Sequence, residues 1–280
     1  MRTTFDVCPT KFYYSYIENL KPKGVSIHLH FGKCLAAGLE ILRKEYYSHG
    51  DLVEAKTRAV ERILKDWGEV EAPEKSPKTL EACILALDSY IEQYPPQEDH
   101  IQPAILNGQP AVEFTFALPI PGIEHPEGGP ILYTGRFDMI AEQAGALFIF
   151  DDKTTGQLGK SWANSFTLAS QFLGYKWACD QYGIKTEGDI IRGIGIYKTY
   201  FAHQMLINYR PNWQVDRWLS QLQRDVRRMI ACWEVDTWDM SMGAGCNAYG
   251  GCEFLTLCTV RKPEDYIEGY YEARDWDPLG

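Results

Sequence analysis

The sequence predicts a mixed α/β fold, and three patterns along the chain support this class. Apolar residues recur at helical spacing through the first third, then alternate with polar residues, and then run without interruption in ALFIF at residues 146–150. Helices that precede strands, with a further helix between later strands, favour a central sheet covered by helices. With 45% hydrophobic residues, the chain can bury a substantial core.

The helices are predicted from apolar residues that recur every three or four positions. In the first third they cover 31–47, 52–67 and 79–94, with the polar loop APEKSPK between the last two. A later helix is expected at 162–182. A long one at 211–234 begins with proline, which suits a first helical turn. Its predicted apolar side carries Trp218, Leu222, Val226, Met229 and Trp233.

The strands are predicted from alternation and from short apolar runs. AVEFTFALPI alternates as a half-buried strand, and a turn-rich loop, PGIEHPEGGP, follows it. ILYTGRFDMIAEQ leads through a turn into ALFIFDDK, whose apolar run is typical of a strand buried on both faces. Two more strands are expected in DIIRGIGIYKTY and AHQMLINYR, and an irregular tail from Met240.

Charge and hydropathy exclude several classes of protein. No stretch approaches the ~20 apolar residues of a membrane helix, and the first residues lack the apolar core of a secretory signal. We therefore expect a soluble, cytoplasmic protein with no membrane partner. The net charge of −10 opposes general attraction to nucleic acid, so any phosphate binding should depend on local cations or a bound metal.

Charged residues interrupt or end two of the apolar strands. Asp138 lies within YTGRFDMIA, while Asp151 and Lys153 follow ALFIF and share one face of their strand. Burying such charges is costly unless they pair or bind a metal. A hairpin would lay the two strands side by side, and its two carboxylates suit Mg²⁺ or Mn²⁺ while the lysine positions water. A salt-bridged strand end facing solvent is the alternative.

Three further side chains extend this candidate site. Glu113, on the polar face of the preceding strand, could supply a third carboxylate to the metal. Gln171 and Tyr175 are one helical turn apart in SQFLGYKWACDQY, so they share a face that can look onto the site.

The motifs GRFD, DDK and QFLGY, in this order, resemble those of the PD-(D/E)XK nuclease superfamily, in particular its RecB-like branch with a QxxxY motif. The resemblance covers mainly residues 113–182. It implies a restriction-endonuclease-like fold, with a mixed central β-sheet flanked by helices. The activity it implies is Mg²⁺- or Mn²⁺-dependent hydrolysis of DNA, expected to be exonucleolytic, in recombination, repair or phage DNA processing. If the protein is phage-encoded, its expected location is the host cytoplasm.

The resemblance also implies a role for each matching residue. Asp138, Asp151 and the main-chain carbonyl of Asp152 would bind metal. Lys153 would serve catalysis, and Gln171 and Tyr175 would orient the site and the DNA backbone.

One position departs from the family pattern. Related nucleases often carry a metal-binding histidine in FGxxxH, and Ala36 takes that place in FGKCLA. His28 and His30, expected to alternate on an extended segment, could substitute, or they are ordinary strand-end histidines. A catalytically weak DNA-binding subunit of the same fold is therefore an open alternative.

The chain has eight cysteines in two groups. Cys34, Cys83, Cys179 and Cys232 lie in helical patterns and are expected to pack. Cys8 lies near the amino end, and Cys246, Cys252 and Cys258 lie in GCNAYGGCEFLTLC. Four thiolates can hold zinc or an iron–sulfur cluster, although no CxxC pair is present.

The second group resembles the iron–sulfur staple of AddB-type nucleases and of related exonucleases of CRISPR adaptation. That resemblance implies a [4Fe-4S] cluster joining the two chain ends, although the gap after Cys246 is longer than usual. Zinc and unligated thiols are the alternatives. A redox-responsive interaction protein centred on the cluster is a third functional class.

These observations predict a single nuclease domain over 1–280. It would contain a helical insertion at 31–100, a catalytic core at 110–235 and a cysteine-rich segment at 240–262 that joins Cys8. DNA is the expected partner, with a recombination or processing protein as a second. The candidates for phosphate contacts are Arg217, Gln221, Arg224, Arg228, Lys160, Lys176 and Lys198, and those for base stacking are Tyr13, Tyr14 and Tyr16. A solvated helix face and core packing are their alternatives.

Overall fold

The structure, a computed structural model, describes residues 1–247 and 251–274. The chain divides into two compact units. The sheet unit comprises Val25–Phe116 and Thr134–Trp218. The terminal unit comprises Met1–Gly24, Ala117–Tyr133 and the described part of Leu219–Gly280. No helix in these described ranges is long and apolar enough to cross a membrane.

Three helices precede the central strands, close to where the sequence predicts them. They are α3 (Ile27–His49), α4 (Leu52–Trp67) and α5 (Leu80–Gln93). The side chain of Asp51 caps α4 by accepting from two backbone N–H groups, and Thr79 caps α5 by accepting from the N–H of Ala82. The three helices bury their apolar faces in one core that contains Phe31, Leu39, Ile63, Leu87 and Ile194.

The sheet has six strands in a mixed arrangement, which confirms the predicted fold class. The strands are β2 Gln102–Pro103, β5 Val112–Glu124, β6 Pro130–Gln143, β7 Ala146–Thr155, β8 Thr186–Ile196 and β9 Phe201–Tyr209. Their main path in the sheet runs β2-β6-β7-β8-β9, and β5 also pairs with β6. β7 pairs antiparallel with β6 and parallel with β8, so it lies at the centre of the sheet, as its apolar run predicts.

Short strands precede the long ones, where no strand is predicted. β3 (Ile105–Leu106) and β4 (Gln109–Pro110) form a two-stranded ladder beside the main sheet. Two-residue strands show no periodicity, so sequence patterns cannot find them. β5 also extends to Glu124, through half of the predicted loop, because Ile120 and Ile123 are buried.

The predicted helix at 162–182 is wrong in its continuity. The structure has α6 (Lys160–Asn164) and α7 (Ser170–Gln181), separated by residues 165–169. Buried Arg210 donates to the carbonyl oxygens of Phe166, at 2.6 Å, and Thr167. These carbonyls bind a guanidinium from a distant strand instead of completing a helix, which is a tertiary contact without a local signal.

The terminal unit contains both chain ends. Its elements are α1 (Arg2–Val7), α2 (Pro9–Phe12), a π-helical turn (Tyr13–Ile17), β1 (Leu20–Pro22), α9 (Ala244–Asn247), α10 (Leu255–Thr259), α11 (Glu264–Tyr270) and β10 (Tyr271–Ala273). The short helices replace the irregular tail that the sequence predicts. β1 pairs antiparallel with β10, so residues 20–22 and 271–273 lie side by side.

The long helix α8 spans Asn212–Glu234, as predicted. Trp218, Leu222 and Val226 are buried along it, but Trp233 is largely exposed, so the predicted apolar side ends before the last turn.

Candidate active site

Two carboxylates meet where β6 and β7 pair. The ladder joins Met139 to Phe150, so the next residues outward, Asp138 and Asp151, are neighbours, as the sequence predicts. Asp138 Oδ2 also accepts a hydrogen bond from the main-chain N–H of Asp152 at 3.3 Å. Burial raises the pKa of Asp151 well above its usual range, and the charge of Asp138 raises it further. Both carboxylates can ionise together only if a cation compensates them.

Lys153 and Gln171 converge on Asp151. The Lys153 Nζ lies 2.6 and 2.8 Å from the two carboxylate oxygens, and Gln171 Nε2 donates to Oδ2 at 3.0 Å. Burial alone would lower the pKa of Lys153, but the charges of Asp151 and Asp138 outweigh it and raise that pKa. Lys153 is therefore an ammonium at neutral pH.

Tyr175 ties the helix of Gln171 to the strand of Asp138. Its hydroxyl donates to the main-chain carbonyl of Arg136 at 2.6 Å and accepts from Gln171 at 3.3 Å. Gly135 permits this approach, since a Cβ there would lie 3.0 Å from the Tyr175 ring and 2.6 Å from Phe116. The structure thus brings together Asp138, Asp151, Lys153, Gln171 and Tyr175.

The side chain of Asp152 points to the opposite face of β7, where it forms an ion pair with Arg43 of α3. Both side chains are almost fully buried, at 5% and 9% exposure. Arg43 also donates to the Tyr90 hydroxyl at 2.8 Å. The same hydroxyl accepts from Arg192 at 3.0 Å, and Arg192 holds Asp99 through two hydrogen bonds of 2.7 Å.

This buried network lies on the face of β7 opposite Asp151, and it supports the site. The pair with Arg43 fixes the main chain of Asp152, whose N–H donates to Asp138. The sequence patterns do not identify Arg43 and Arg192 as residues that support the site. For Arg192 the available signal was a lone arginine in the apolar run IIRGIGI, which is costly to bury without a carboxylate. Arg43 stands beside Lys44 and Glu45 and has no such signal.

Glu113 lies at the edge of the same group, in a strained conformation. Its φ of 51° is rare for a residue with a Cβ, and it bends the start of β5. Its carboxylate is 10% exposed and lies 2.8 Å from Arg136 Nε. Burial and, after it, the charge of Asp138 raise the pKa of Glu113 to about 7. The structure thus places the Glu113 carboxylate near Asp138, and its role as a metal ligand stays a prediction.

We expect Glu113→Gln to stabilise the metal-free protein at pH 8. A carboxyl whose pKa is raised on folding stabilises the fold below its unfolded pKa, near 4.5, and loses that contribution as pH rises through about 7. Glutamine removes this loss, so the variant should gain about 2 kcal/mol at pH 8 and nothing at pH 4. Urea unfolding in EDTA measures both values. Exposed Glu54→Gln is the control, and an equal gain in both variants would contradict the assignment.

The donor chemistry of the site fits a hard divalent cation. In the described ranges, no set of three or more His, Cys, Asp or Glu side chains is arranged to hold a metal ion. Asp151 Oδ1 is buried and accepts no hydrogen bond, although the Lys153 ammonium is 2.6 Å away. Two neighbouring carboxylates with an available oxygen, a main-chain carbonyl and water match the oxygen ligands that Mg²⁺ prefers.

The two early histidines differ from their prediction. α3 begins at Ile27, so His28 and His30 lie in its first turn and not on an extended segment. His30 Nε2 lies 3.1 Å from the main-chain carbonyl of Trp67, and its ring packs against the Trp67 ring. His30 therefore has a packing role. Ala36 is exposed on α3, one turn before Glu40.

Several predicted DNA contacts are engaged elsewhere. Lys176 is buried and donates to the carbonyl of Thr186 at 2.6 Å, so its prediction as a flanking cation is wrong. Arg228 lies within 3.8 Å of Asp6 and Asp225. Tyr14 packs against Phe254, in keeping with the core-packing alternative. Lys160 and Lys198 are exposed.

The eight cysteines differ in their surroundings. Cys34, Cys83 and Cys179 are fully buried, as predicted, whereas Cys232 is only partly buried. Cys8, Cys246, Cys252 and Cys258 line one cavity of about 250 Å³ in the terminal unit, all as free thiols. Burial, and after it the charges of the other three, raise the pKa of Cys258.

The environment of Cys8 favours a thiolate. Burial opposes the charge, but N–H groups of Ser241, Lys11 and Thr10 outweigh it and lower the pKa of Cys8. The four thiols do not converge as a single-ion site in the described ranges. A cubane takes its four thiolates at separate irons, so it needs a shared cavity and not one point of convergence.

No curated protein matches the chain. The crystal structure of SSO0001 aligns over 85% of this chain and 98% of its own, with 13% identity and a TM-score of 0.33, a level from which we draw no argument. The family model of the PD-(D/E)XK nuclease superfamily matches residues 3–259. With that match and the grouping of Asp138, Asp151 and Lys153, the chain belongs to the PD-(D/E)XK nuclease superfamily, whose members are generally nucleases that use divalent metals.

Proposed function

We propose that this protein is a Mg²⁺- or Mn²⁺-dependent DNA exonuclease of the RecB-like branch. The single observation that carries this proposal is the convergence of Lys153 and Gln171 on Asp151, beside Asp138. A salt-bridged strand end would not need a helix to deliver a glutamine to the same carboxylate. The superfamily match supports the general activity.

In this proposal Asp138, Asp151 and the main-chain carbonyl of Asp152 hold the cation, with Glu113 as a further ligand. When bound, the metal polarises the scissile phosphate and lowers the pKa of the attacking water. The Lys153 ammonium positions that water and stabilises the charge that develops on the phosphate oxygens. Gln171 fixes Oδ2 of Asp151, which orients the carboxylate. Tyr175 anchors α7 to β6 through the Arg136 carbonyl and keeps Gln171 in place.

The test is an assay of the full chain on end-labelled linear DNA and on a covalently closed circle. We expect degradation of linear DNA with Mg²⁺ or Mn²⁺, none in EDTA, and an intact circle. Cleavage of the circle would remove the exonuclease assignment. Binding of DNA without cleavage in either metal would replace the proposal with the weak DNA-binding subunit that Ala36 leaves open.

We also propose that Cys8, Cys246, Cys252 and Cys258 hold a [4Fe-4S] cluster. The four thiols share one cavity, and the N–H groups around Cys8 favour its thiolate form. Such a cluster would join the amino-terminal segment to the carboxyl-terminal one and close a very long loop, so its role is structural. Zinc is the alternative occupant.

Cys252→Ser is expected to lose iron and to lower the melting temperature by about 10 °C, because the cluster's binding free energy contributes to folding. Metal analysis after anaerobic purification, together with thermal unfolding, measures both effects. Cys232→Ser is the control, since Cys232 lies on α8 outside the cavity set. A colourless protein that contains zinc, or two variants that behave alike, would contradict the cluster. A cluster whose oxidation alters partner binding, with no change in Asp151→Asn, would favour a redox-responsive interaction protein.

The proposed setting is recombination, repair or phage DNA processing, with a processing protein as partner. The proposed domain is a single one over 1–280, with its insertion at 31–100, core at 110–235 and cluster segment at 240–262. The resemblance of the motifs to those of the superfamily supports both the proposed setting and the proposed domain.

A further inference from the structure

The tip of the β8–β9 hairpin presents two stacked aromatic rings. Tyr197 and Tyr200 lie nearly parallel, at 11°, with ring centroids 4.6 Å apart. The N–H of Tyr197 donates to the carbonyl of Tyr200 at 3.2 Å, which closes the turn. Tyr200 is 58% exposed, so much of its ring faces solvent. Tyr197 is half-buried beneath it, so Tyr200 is the ring of the pair that is open to a ligand.

The pair lies at the same edge of the sheet as the carboxyl end of β7. β7 and β8 are parallel, and Asp151 pairs with Ile191, so the last residue of β8, Ile196, is about 17 Å further along. The strand register also places Gly193 and Gly195 on the face of Asp151 and Lys153. A Cβ at Gly195 would lie 2.7 Å from the Tyr197 ring, so that ring covers this same face.

A hydrogen bond from the segment after β7 holds Tyr197, the ring on which Tyr200 stacks. The N–H of Leu158 donates to the Tyr197 hydroxyl at 3.0 Å, and the N–H of Gly159 donates to Gln204 Oε1 at 2.9 Å. A ring that is already held loses little conformational entropy when a ligand stacks on it.

Cations accompany the rings. Lys198 lies within the turn and Lys160 follows Gly159, and both are exposed. In a chain with a net charge of −10, exposed lysines beside an aromatic platform are an arrangement that a polyanion with flat bases would recognise. Bases inside a duplex are covered on both faces by their neighbours, so a base can lie on Tyr200 only where it is unpaired or at a duplex end.

We propose that Tyr197 and Tyr200 form a stacking platform for an unpaired base of single-stranded DNA, whose backbone contacts Lys198 on its way to the Asp151 site. This inference rests on the proposed nuclease function and adds its substrate class: a single strand, or a duplex end with a single-stranded tail.

The test is equilibrium binding of the full chain in EDTA, where cleavage does not occur. Fluorescence anisotropy with a short labelled thymidine oligonucleotide gives the single-strand affinity, and its displacement by a covalently closed circular duplex, which has no ends, gives the duplex affinity. We expect Tyr200→Ala to weaken single-strand binding roughly 10-fold and to leave duplex binding unchanged. Tyr209→Ala is the matched control, because Tyr209 is 69% exposed at the other end of β9. It should change neither affinity.

Two more variants separate stacking from folding. Tyr200→Leu keeps an apolar side chain and should show the same loss as Tyr200→Ala, whereas Tyr200→Phe keeps the ring and should bind as the wild type does.

Lys198→Gln tests the phosphate contact. It should reduce the slope of log affinity against log salt by about 0.7, the value for one single-strand phosphate.

The platform is overturned if Tyr200→Leu or Tyr200→Ala binds single strands as well as Tyr209→Ala does, or if duplex affinity falls by the same factor. Binding is measured without cleavage. A protein that cleaves no DNA but loses single-strand affinity selectively in Tyr200→Ala would therefore refute the nuclease proposal alone. An active nuclease in which Tyr200→Ala shows no such selective loss would refute the platform alone.

Discussion

Lys153→Met is expected to lower the rate of DNA cleavage by about 100- to 1,000-fold at saturating Mn²⁺. Methionine keeps the length of the side chain but removes the ammonium that lies 2.6 Å from Asp151 Oδ1. The variant therefore loses the group that stabilises charge on the phosphate. Asp151→Asn should reduce cleavage at least as strongly, because it removes a proposed metal ligand and keeps the shape of the side chain. Initial rates of label release from linear DNA measure both.

Folding has to be separated from chemistry in these variants. Burial and the neighbouring Asp138 already oppose ionisation of Asp151, so Asp151→Asn should unfold at no lower temperature than the wild type in EDTA. Lys56→Met is the matched control, since Lys56 pairs with Asp88 at 2.8 Å at the surface of the same unit. Wild-type cleavage by Lys153→Met would remove the proposed role of the lysine.

Arg43→Met is expected to destabilise the fold by about 3–5 kcal/mol. It leaves the Asp152 carboxylate, only 5% exposed, without its guanidinium. It also removes the donor at 2.8 Å from the Tyr90 hydroxyl. Cleavage per folded molecule should fall as well, since the main chain of Asp152 loses its anchor. Urea unfolding in EDTA measures the stability.

The double variant Arg43→Met with Asp152→Asn separates a charge effect from a packing effect. If the unpaired charge causes the loss, the second substitution should recover most of it, because residues in direct contact are not additive. Arg58→Met is the surface control, because its pair with Glu54 is about half exposed and solvent screens the attraction between the two charges. Equal losses in Arg43→Met and Arg58→Met would show that the buried network does not support the site.

The periodicity of apolar and polar residues along the sequence predicts much of this structure. The turn between the β6 and β7 segments predicts their pairing, and a strand's period of two residues requires Asp151 and Lys153 to share a face. Gln171 and Tyr175 are one turn apart in any helix, so only the position of that helix relative to the sheet could not be predicted. These relations extend over a few residues, and the physics that sets them is the geometry of the chain itself.

The sequence by itself determined the mixed α/β class, the central place of β7 and the group of Asp138, Asp151, Lys153, Gln171 and Tyr175. Only the tertiary structure decided the partner of Asp152, the break in the helix before α7, the helical place of His28 and His30, and the hairpin platform of Tyr200. Arg43 and Asp152 are 109 residues apart, and Arg210 reaches carbonyls more than 40 residues away. Such contacts form because a buried charge or carbonyl requires a partner, and which partner is near depends on how the whole chain packs.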